Sequence, residues 1–297
     1  MLAARPKKAE RRLRFAPSPN GFLHRGHAYS ALLNFRATKV TGGRFLLRIE
    51  DIDRTRARQE FEDAIFEDLG WLGLTWEEPV LRQRDRFDAY ANAVAELERL
   101  DLLYPAFLSR TEIDNAVEQA EASGRTWPRD PDGTPHYPGQ ERDWSSRRRR
   151  EAMDAGKPYA LRLDMARALA DIPTLTFSEA DPSGDASPIL RRANPAVWGD
   201  VVLARKEMPM SYHLAVVVDD AFQGVTDVVR GKDLEAATSV HRVLQTLLGL
   251  PEPTYFHHRL ILDERGEKLS KSRGSETIRG RREAGENAEE LIAGLGL

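Results

Sequence analysis

The stretch at 13–27 constrains the fold more than any other part of the sequence. It begins with a short apolar run at 13–16, which predicts a strand. Pro17 and Pro19 then favour an extended backbone, because proline fixes φ and keeps the preceding residue out of the α region. A helix is predicted from about residue 24 to Val40. A strand, a loop and a helix N-terminus in succession predict an anion site, since free N–H groups and the positive end of the helix dipole face the loop.

Two histidines at the start of this helix are candidates for phosphate contacts. His24 and His27 are three residues apart, so they lie on one face of the first helical turn. Gly26 between them would let a flat ring or a phosphate approach the backbone closely. Two ordinary imidazoles at a helix start are the alternative interpretation, which this short pattern alone does not exclude.

Five motifs in succession carry a resemblance to a known family. They are RFAPSPNGFLHRGH at 14–27, RIEDIDRTR at 48–56, YHLAVVVDD at 212–220, VVRGKD at 228–233 and KLSKS at 268–272. The H-x-G-H and KLSKS stretches resemble the two signature motifs of class I aminoacyl-tRNA synthetases. The whole series resembles the glutamyl-tRNA synthetase subfamily over roughly residues 13–275.

The resemblance implies an α/β fold of the class I synthetase type. We expect a Rossmann-like, doubly wound parallel sheet, an inserted acceptor-contacting subdomain and a short helical C-terminal part, without an anticodon-binding domain. The expected divisions are 11–104 and 191–250 for the two halves of the catalytic domain, 105–190 for the inserted RNA-contacting subdomain, and 251–297 for the lysine loop and helical C-terminal part. Alternating strand and helix patterns agree with such a sheet.

Two apolar stretches provide further strand predictions. Residues 43–51 are typical of a buried strand, which would place Glu50 at its carboxyl end, where ligands bind in such sheets. The continuous apolar run AVVV at 215–218 is expected to be a strand buried on both faces.

The reaction implied by the resemblance is the activation of glutamate by ATP and its transfer to a hydroxyl of RNA. The candidate catalytic residues are His24, His27, Lys268 and Lys271. The histidines would hold phosphates, and the lysines would neutralise charge on the leaving pyrophosphate. The expected ATP-binding residues are Pro17, His24, Gly26, His27, Lys268, Ser270 and Lys271. Mg2+ is expected to arrive with the ATP phosphates rather than in a cage of protein ligands.

Selection of glutamate needs a cation for its side-chain carboxylate and a carboxylate for its ammonium group. Arg14 and Arg230 are the candidate cations, because a guanidinium binds a carboxylate through two hydrogen bonds. Glu50 is the candidate partner of the ammonium group, and a structural ion pair is the alternative for each of the three. The expected glutamate-binding residues, carried over from the family motifs, are Arg14, Phe15, Ala16, Pro17, Ser18, Glu50, Tyr212 and Arg230.

The sequence departs from the family at two places. The position of His213 is commonly Asn in the full-length synthetases and Gln in the short ones, so its role is left open. Many members also bind zinc in the inserted segment, and the corresponding positions here are Ala106, Leu108, Tyr137 and Glu141. The first two cannot ligate a metal, and a structural zinc site needs about four ligands. We therefore expect no zinc and a segment held together by packing.

The expected RNA partner follows from the length of the chain. Only 25 residues follow KLSKS, so we expect no helical anticodon-binding half of the kind that full glutamyl-tRNA synthetases carry. This resembles a short paralogous family, the glutamyl-Q tRNA(Asp) synthetases, which attach glutamate to queuosine in the anticodon of tRNA(Asp). We therefore expect the anticodon stem-loop of tRNA(Asp) as partner. The arginines at 147–150 are candidate phosphate contacts, and a solvated helix face is an equal alternative.

Three other functions stay open. The first is the charging of an ordinary tRNA 3′ end by a truncated glutamyl-tRNA synthetase, alone or with a separate anticodon-binding partner. The second is a non-catalytic RNA-binding paralogue, against which the intact histidines and lysines argue. The third is a different nucleotidyltransferase with the same phosphate motifs, which would lack the RIED and VVRG elements.

Composition limits the cellular setting. Of 297 residues, 41% are hydrophobic and 31% charged, and the formal net charge of −3 gives no overall basic character for RNA binding. The chain has no cysteine, which excludes disulfides and thiolate metal sites and fits a cytoplasmic location. No apolar run reaches the roughly 18 residues of a membrane-spanning helix, so we expect no membrane contact. We also expect a monomer.

Overall fold

The computed structural model describes residues 10–184, 186–205, 210–263, 266–267, 269 and 276–297. The strands are β1 (Arg12–Phe15), β2 (Arg44–Ile49), β3 (Glu77–Arg82), β4 (Leu103–Ala106), β5 (Ala160–Leu163), β6 (Thr176–Glu179), β7 (Ile189–Arg192), β8 (Val202–Arg205), β9 (Asp227–Gly231) and β10 (Thr254–His258). The helices are α1 (Arg25–Thr41), α2 (Gln59–Trp71), α3 (Phe87–Arg99), α4 (Arg110–Ala122), α5 (Ser146–Asp154), α6 (Met165–Ala168), α7 (Tyr212–Phe222), α8 (Thr238–Leu247), α9 (Ile278–Glu283) and α10 (Ala288–Gly294). None of these helices is long and apolar enough to cross a membrane.

A seven-stranded sheet forms the centre of the molecule. Its strand order is β3-β2-β1-β9-β10-β6-β7, and all neighbouring pairs are parallel except β6 with β7. The order reverses direction between β1 and β9, since the chain moves outward from β1 to β2 and β3 and later returns to the other side of β1. The expected doubly wound parallel sheet is thus confirmed, and its carboxyl edge at this reversal is where such sheets bind ligands.

Apolar side chains on the central strands hold helices against this sheet. Phe15, Leu47 and Ile49 share a buried cluster with residues of α1, α2 and α10, while α3, α7 and α8 pack in a second cluster. Each buried aliphatic or aromatic side chain contributes about 1.5–3 kcal/mol relative to exposure. The sheet edge therefore sits on a rigid support, which matters for the side chains that project from it.

The prediction of a strand at 215–218 is wrong, because these residues lie inside α7. The side chain of Ser211 accepts a hydrogen bond from the backbone of Leu214 and caps the helix. Residues 214–217 are all buried, since α7 packs against α3 and α8 in the second cluster. A helix buried on nearly all sides has the same continuous apolar run as a buried strand, so periodicity does not separate the two.

The two sheets do not follow the boundary expected at residue 190. A smaller antiparallel sheet has the order β4-β5-β8, so β8 pairs with the inserted segment although it was expected in the second catalytic half. Conversely, β6 lies within the expected insertion but joins the larger sheet, where Glu179 pairs with Tyr255 of β10. The sequence pattern marks strands but not their distant partners, which is why this boundary differs. The division into domains otherwise stays a prediction.

Candidate active site

A cavity of about 530 Å³ opens at the carboxyl ends of β1, β2 and β9. Its lining includes every described residue that the sequence singled out for ATP or glutamate. These are Arg14, Phe15, Ala16, Pro17, Ser18, His24, Gly26, His27, Glu50, Tyr212 and Arg230. Lys268, Ser270 and Lys271 lie outside the described residues, and Leu269 between them lines the same cavity. The fold therefore brings residues from all five motifs to one place.

The two histidines of H-x-G-H cap α1 reciprocally. Nδ1 of His24 accepts from the backbone N–H of Gly26, and Nδ1 of His27 accepts from the backbone N–H of His24, each at 3.1 Å. Because Nδ1 accepts in both rings, a neutral ring carries its proton on Nε2, which is then a donor. Two N–H donors at the positive end of a helix suit phosphate oxygens.

Gly26 packs tightly against the ring of His24, two residues earlier in the chain. A Cβ at this position would lie 3.1 Å from two ring atoms of His24, closer than side chains normally pack. The sequence argument assigned the glycine to the approach of a ligand, whereas the geometry shows that it first makes room for the ring that caps the helix.

The segment after the lysine loop is attached to the same corner. Thr277 forms an isolated β-bridge with His24, and the backbone N–H of Ile278 donates to the carbonyl of Leu23 at 2.8 Å. Before the loop, the backbone N–H of Gly266 donates to Asp263 at 3.0 Å in a turn. The described residues that follow the KLSKS stretch, from Thr277 onward, thus lie against the H-x-G-H corner.

A buried ion-pair network lies under one side of the cavity. Asp220 receives Nε of Arg14 at 2.9 Å and Nη1 of Arg48 at 2.7 Å, while Nη2 of Arg48 lies 3.3 Å from Oε1 of Glu50. Burial raises the pKa of Asp220, but the two guanidinium groups outweigh it, and the pKa lies below its ordinary value. Arg14 is therefore at once a cavity residue and a member of a structural ion pair.

Glu50 has the opposite balance. Burial raises its pKa above the ordinary value, and the nearby arginines, Arg48 first, offset this only in part. A carboxylate that is disfavoured in this way gains free energy from any cation that reaches it. The ammonium group of an amino acid would be such a cation.

Arg230, at the end of β9, has a different set of partners. Its guanidinium lies against His241, Thr238 and His257, and no described carboxylate lies within 4.0 Å of it. His213 lies behind His241, with Nδ1 3.2 Å from Nε2 of that ring. His241, Thr238 and His257 were not among the residues predicted from the sequence motifs. The burial of Arg48 and Asp220 could have been predicted, because each of these charged residues stands in or at the end of an apolar run.

The positions that correspond to the zinc site are closed by hydrogen bonds. The hydroxyl of Tyr137 donates to Oε2 of Glu141 at 2.8 Å and accepts from the backbone of Leu108 at 3.2 Å. Ala106 packs with Tyr137 in a small apolar cluster. This donor set does not fit zinc, because only two of four side chains have ligating atoms and both are engaged. The absence of zinc itself stays a prediction.

The arginines at 147–150 mostly contact their own segment. Arg147 pairs with Glu151 at 2.7 Å, and Arg148 lies 4.0 Å from the ring centroid of Trp144. Arg149 donates to the carbonyl of Arg142. The geometry therefore favours the solvated helix face over a preformed phosphate site.

The chain is similar in sequence to known tRNA synthetases. The family model for the catalytic domain of class I tRNA synthetases (E and Q) matches residues 10–297. The glutamyl-Q tRNA(Asp) synthetase of Rhodobacter capsulatus is 45% identical over 285 residues, which cover 96% of this chain and 99% of that protein. The glutamate–tRNA ligase of Aquifex aeolicus is 34% identical over 279 residues, covering 94% of this chain and 55% of that protein.

A solved structure agrees in fold. The crystal structure of a glutamate tRNA ligase from Elizabethkingia meningosepticum in complex with its amino acid superposes with a TM-score of 0.72 at 28% identity. The match covers 89% of this chain and 52% of that one. The chain thus spans about half the length of the glutamate–tRNA ligases that it matches, and nearly the whole length of the Rhodobacter protein.

Proposed function

The chain belongs to the class I tRNA synthetase family for glutamate and glutamine, and on that premise we propose that it activates L-glutamate with ATP and transfers it to queuosine in tRNA(Asp). One observation carries the activation step: a single cavity combines two histidine N–H donors at a helix N-terminus with Arg230 and Glu50. The glutamyl-Q tRNA(Asp) synthetase of Rhodobacter capsulatus, which this chain matches over 99% of that protein's length, supports queuosine as the acceptor.

Activation joins the glutamate α-carboxylate to the α-phosphorus of ATP and breaks the bond to pyrophosphate. In our proposal, Nε2–H of His24 and of His27 donate to phosphate oxygens as negative charge builds there. Lys268 and Lys271 neutralise the departing pyrophosphate, with Ser270 donating a further hydrogen bond. Mg2+ enters as part of the ATP substrate.

Binding of glutamate uses groups of both signs. Glu50 accepts from the ammonium group, and Arg230 binds the side-chain carboxylate with Arg14 beside it. Tyr212 and Ser18 donate further hydrogen bonds. In the second step an RNA hydroxyl attacks the activated carbonyl carbon, and AMP leaves with the bonding electron pair.

The activation step is tested by pyrophosphate exchange without RNA. We expect exchange with glutamate and little with glutamine or aspartate, because only glutamate places a carboxylate at Arg230 while its ammonium reaches Glu50. Absence of exchange in folded protein would favour the non-catalytic paralogue. Exchange with glutamine equal to that with glutamate would contradict the role of the arginines.

The acceptor is tested by charging tRNA(Asp) with labelled glutamate, with and without queuosine, and then mapping the label. We expect the label on queuosine, no transfer to RNA with guanosine in its place, and activation unchanged. The competing function is charging of a tRNA 3′ end, which the Aquifex glutamate–tRNA ligase favours by matching 94% of this chain. Label on the terminal adenosine would establish that function instead.

A further inference from the structure

Arg230 is held by neutral side chains rather than by an acid. Its Nη1 lies 3.1 Å from Nδ1 of His241, and its Nη2 donates to Oγ1 of Thr238 at 2.6 Å. Its Nε lies 3.4 Å from Nε2 of His257. The side chain is only 5% exposed, and no described carboxylate lies within 4.0 Å of the guanidinium. A buried charge without a counter-ion is costly, so an incoming anion gains a large share of that cost back.

The hydrogen-bond partners determine where the protons lie on the His241 side. A guanidinium only donates, so Nδ1 of His241 must accept, and a neutral ring then carries its proton on Nε2. That Nε2–H donates to Nδ1 of His213, 3.2 Å away. His213 thus fixes the tautomer in which His241 can accept from Arg230.

The same logic holds on the Thr238 side. The Thr238 hydroxyl accepts from Arg230 and donates its own proton to Nε2 of His257 at 3.1 Å. Nδ1–H of His257 then donates to Oε1 of Glu179 at 3.0 Å. Every donor in this series of hydrogen bonds, from Arg230 to Glu179, meets an acceptor while the ring of His257 stays neutral.

The surroundings keep the rings neutral. Burial and the charge of Arg230 lower the pKa of His213 to about 4 and hold the pKa of His241 well below its ordinary value. Burial and Arg230 also lower the pKa of His257 to about 4, although Glu179 opposes them. A charged ring would repel the guanidinium that it now orients.

Arg14 supplies the contrast within the same cavity. Its guanidinium is paired through two atoms, at 2.9 and 3.3 Å, with the carboxylate of Asp220, so much of its charge is already compensated. An acid in the place of His241 would do the same to Arg230. A neutral acceptor fixes the orientation of the guanidinium and leaves its charge available.

We infer that His241, backed by His213, and Thr238 are positioning residues that hold Arg230 as an uncompensated cation for the side-chain carboxylate of the amino-acid substrate. The inference rests on the proposed function and deepens it, since it assigns substrate selection to residues behind the cavity wall. Two pairs of variants separate this role from a merely structural one.

The first pair is His241→Leu and His241→Gln. Leucine removes the acceptor, whereas glutamine keeps a neutral carbonyl acceptor of similar reach. In pyrophosphate exchange, we expect His241→Leu to raise KM for glutamate about tenfold or more, the effect of losing a hydrogen bond to a charged group. KM for ATP should change less than about twofold, and His241→Gln should restore most of the glutamate affinity.

The second pair, Thr238→Val and Thr238→Ser, keeps the shape or the hydroxyl, respectively. Thr238→Val should raise KM for glutamate, and Thr238→Ser should not. Leu244→Ala on the same helix is the control, because Leu244 is fully buried in the apolar core and its truncation should lower the melting temperature by opening a cavity. Its KM for glutamate should equal that of the wild type.

Glutamate binding, measured by calorimetry on the wild type and the same variants, keeps the two proposals apart. Wild-type protein that binds glutamate without exchanging pyrophosphate would refute the activation step, while the variants still test the positioning of Arg230 by their affinities. The inference is overturned if both His241→Leu and Thr238→Val bind glutamate like the wild type. It is also overturned if Leu244→Ala weakens binding equally, or if the wild type does not bind glutamate.

Discussion

Glu50 is a carboxyl group whose ionisation the protein itself opposes, since burial raises its pKa. We predict that Glu50→Gln raises KM for glutamate by about 10- to 100-fold, because a charged hydrogen bond worth about 1.5–3 kcal/mol is lost. Pyrophosphate exchange at varied glutamate measures this, with the exposed Glu60→Gln as control. An unchanged KM would leave Glu50 as only the structural partner of Arg48.

Gly26 provides a second residue-scale prediction. Gly26→Ala would push a Cβ against the ring of His24, which lies 3.1 Å away, and disturb a cap worth about 1 kcal/mol. We expect a large fall in kcat for exchange with only a small loss of stability. Gly70→Ala in α2 is the matched control, since nothing lies within 4 Å of its Cβ position. Equal activity of the two variants would contradict the prediction.

The residues that the sequence singled out share one feature, which is that they stand in or next to recognisable motifs. Arg14, Glu50 and Arg230 could be named for that reason, and the structure brings them to one cavity. His241 and Thr238 could not be named in this way, because they lie on an amphipathic helix, where a polar residue is expected to face solvent. Their contact with Arg230 arises only when α8 packs beside β9.

At the scale of elements, helix α2 carries a buried acid against α9. Asp68 is fully buried, neither carboxylate oxygen has a hydrogen-bond partner, and Arg282 of α9 is 3.8 Å away. Burial raises the pKa of Asp68 to about 6. The folded state therefore binds this proton more tightly than the unfolded state, and the ionised form costs stability as pH rises from about 4 through 6.

We predict that Asp68→Asn stabilises the protein by about 1–3 kcal/mol at pH 7.5 and that this gain vanishes towards pH 4. Urea unfolding across this range measures the difference from the wild type. The exposed Asp63→Asn on the same helix should stay within about 0.5 kcal/mol at every pH. A gain independent of pH would show that ionisation of Asp68 is not its source.

Local sequence patterns predicted some helices and strands correctly and others wrongly. Helix α1 is predictable because a loop with prolines and a glycine precedes it, and strand β2 because its apolar run ends in polar residues. Helix α7 was mistaken for a strand, since its burial on nearly all sides removes the helical period from the sequence. The length of an apolar run can still separate a buried helix from a buried strand, but the run in this helix is as short as a typical strand.

At the scale of the whole molecule, the doubly wound sheet was predictable and the division between its two sheets was not. Strands β6 and β8 are both four residues long, yet one joins the large sheet and the other the small one. The choice depends on pairing with partners far along the chain, such as Tyr255 with Glu179. A single sequence does not encode such pairing in its local pattern.

The hydrogen bond between Tyr137 and Glu141, beside the smaller sheet, leads to predictions about stability and about metals. Tyr137→Phe should destabilise the protein by about 1–3 kcal/mol, because the buried Glu141 loses its hydroxyl donor. Chelator should leave the melting temperature unchanged, and elemental analysis should find substoichiometric zinc. Trp127→Phe, which also loses a hydrogen bond in this segment but not one to a carboxylate, is the control and should cost less. Stoichiometric zinc would mean that other groups had rebuilt a site.

The unequal pairing of the arginines has a consequence for electroneutrality. Arg14 and Arg48 are paired with Asp220 and Glu50, so these four charges balance when all are ionised, whereas Arg230 has no described carboxylate within 4.0 Å. The side-chain carboxylate of glutamate would compensate the charge of Arg230, whereas the amide of glutamine would leave that charge buried and dehydrated. Discrimination between two nearly isosteric amino acids then becomes a matter of charge balance on closing off water, rather than of shape.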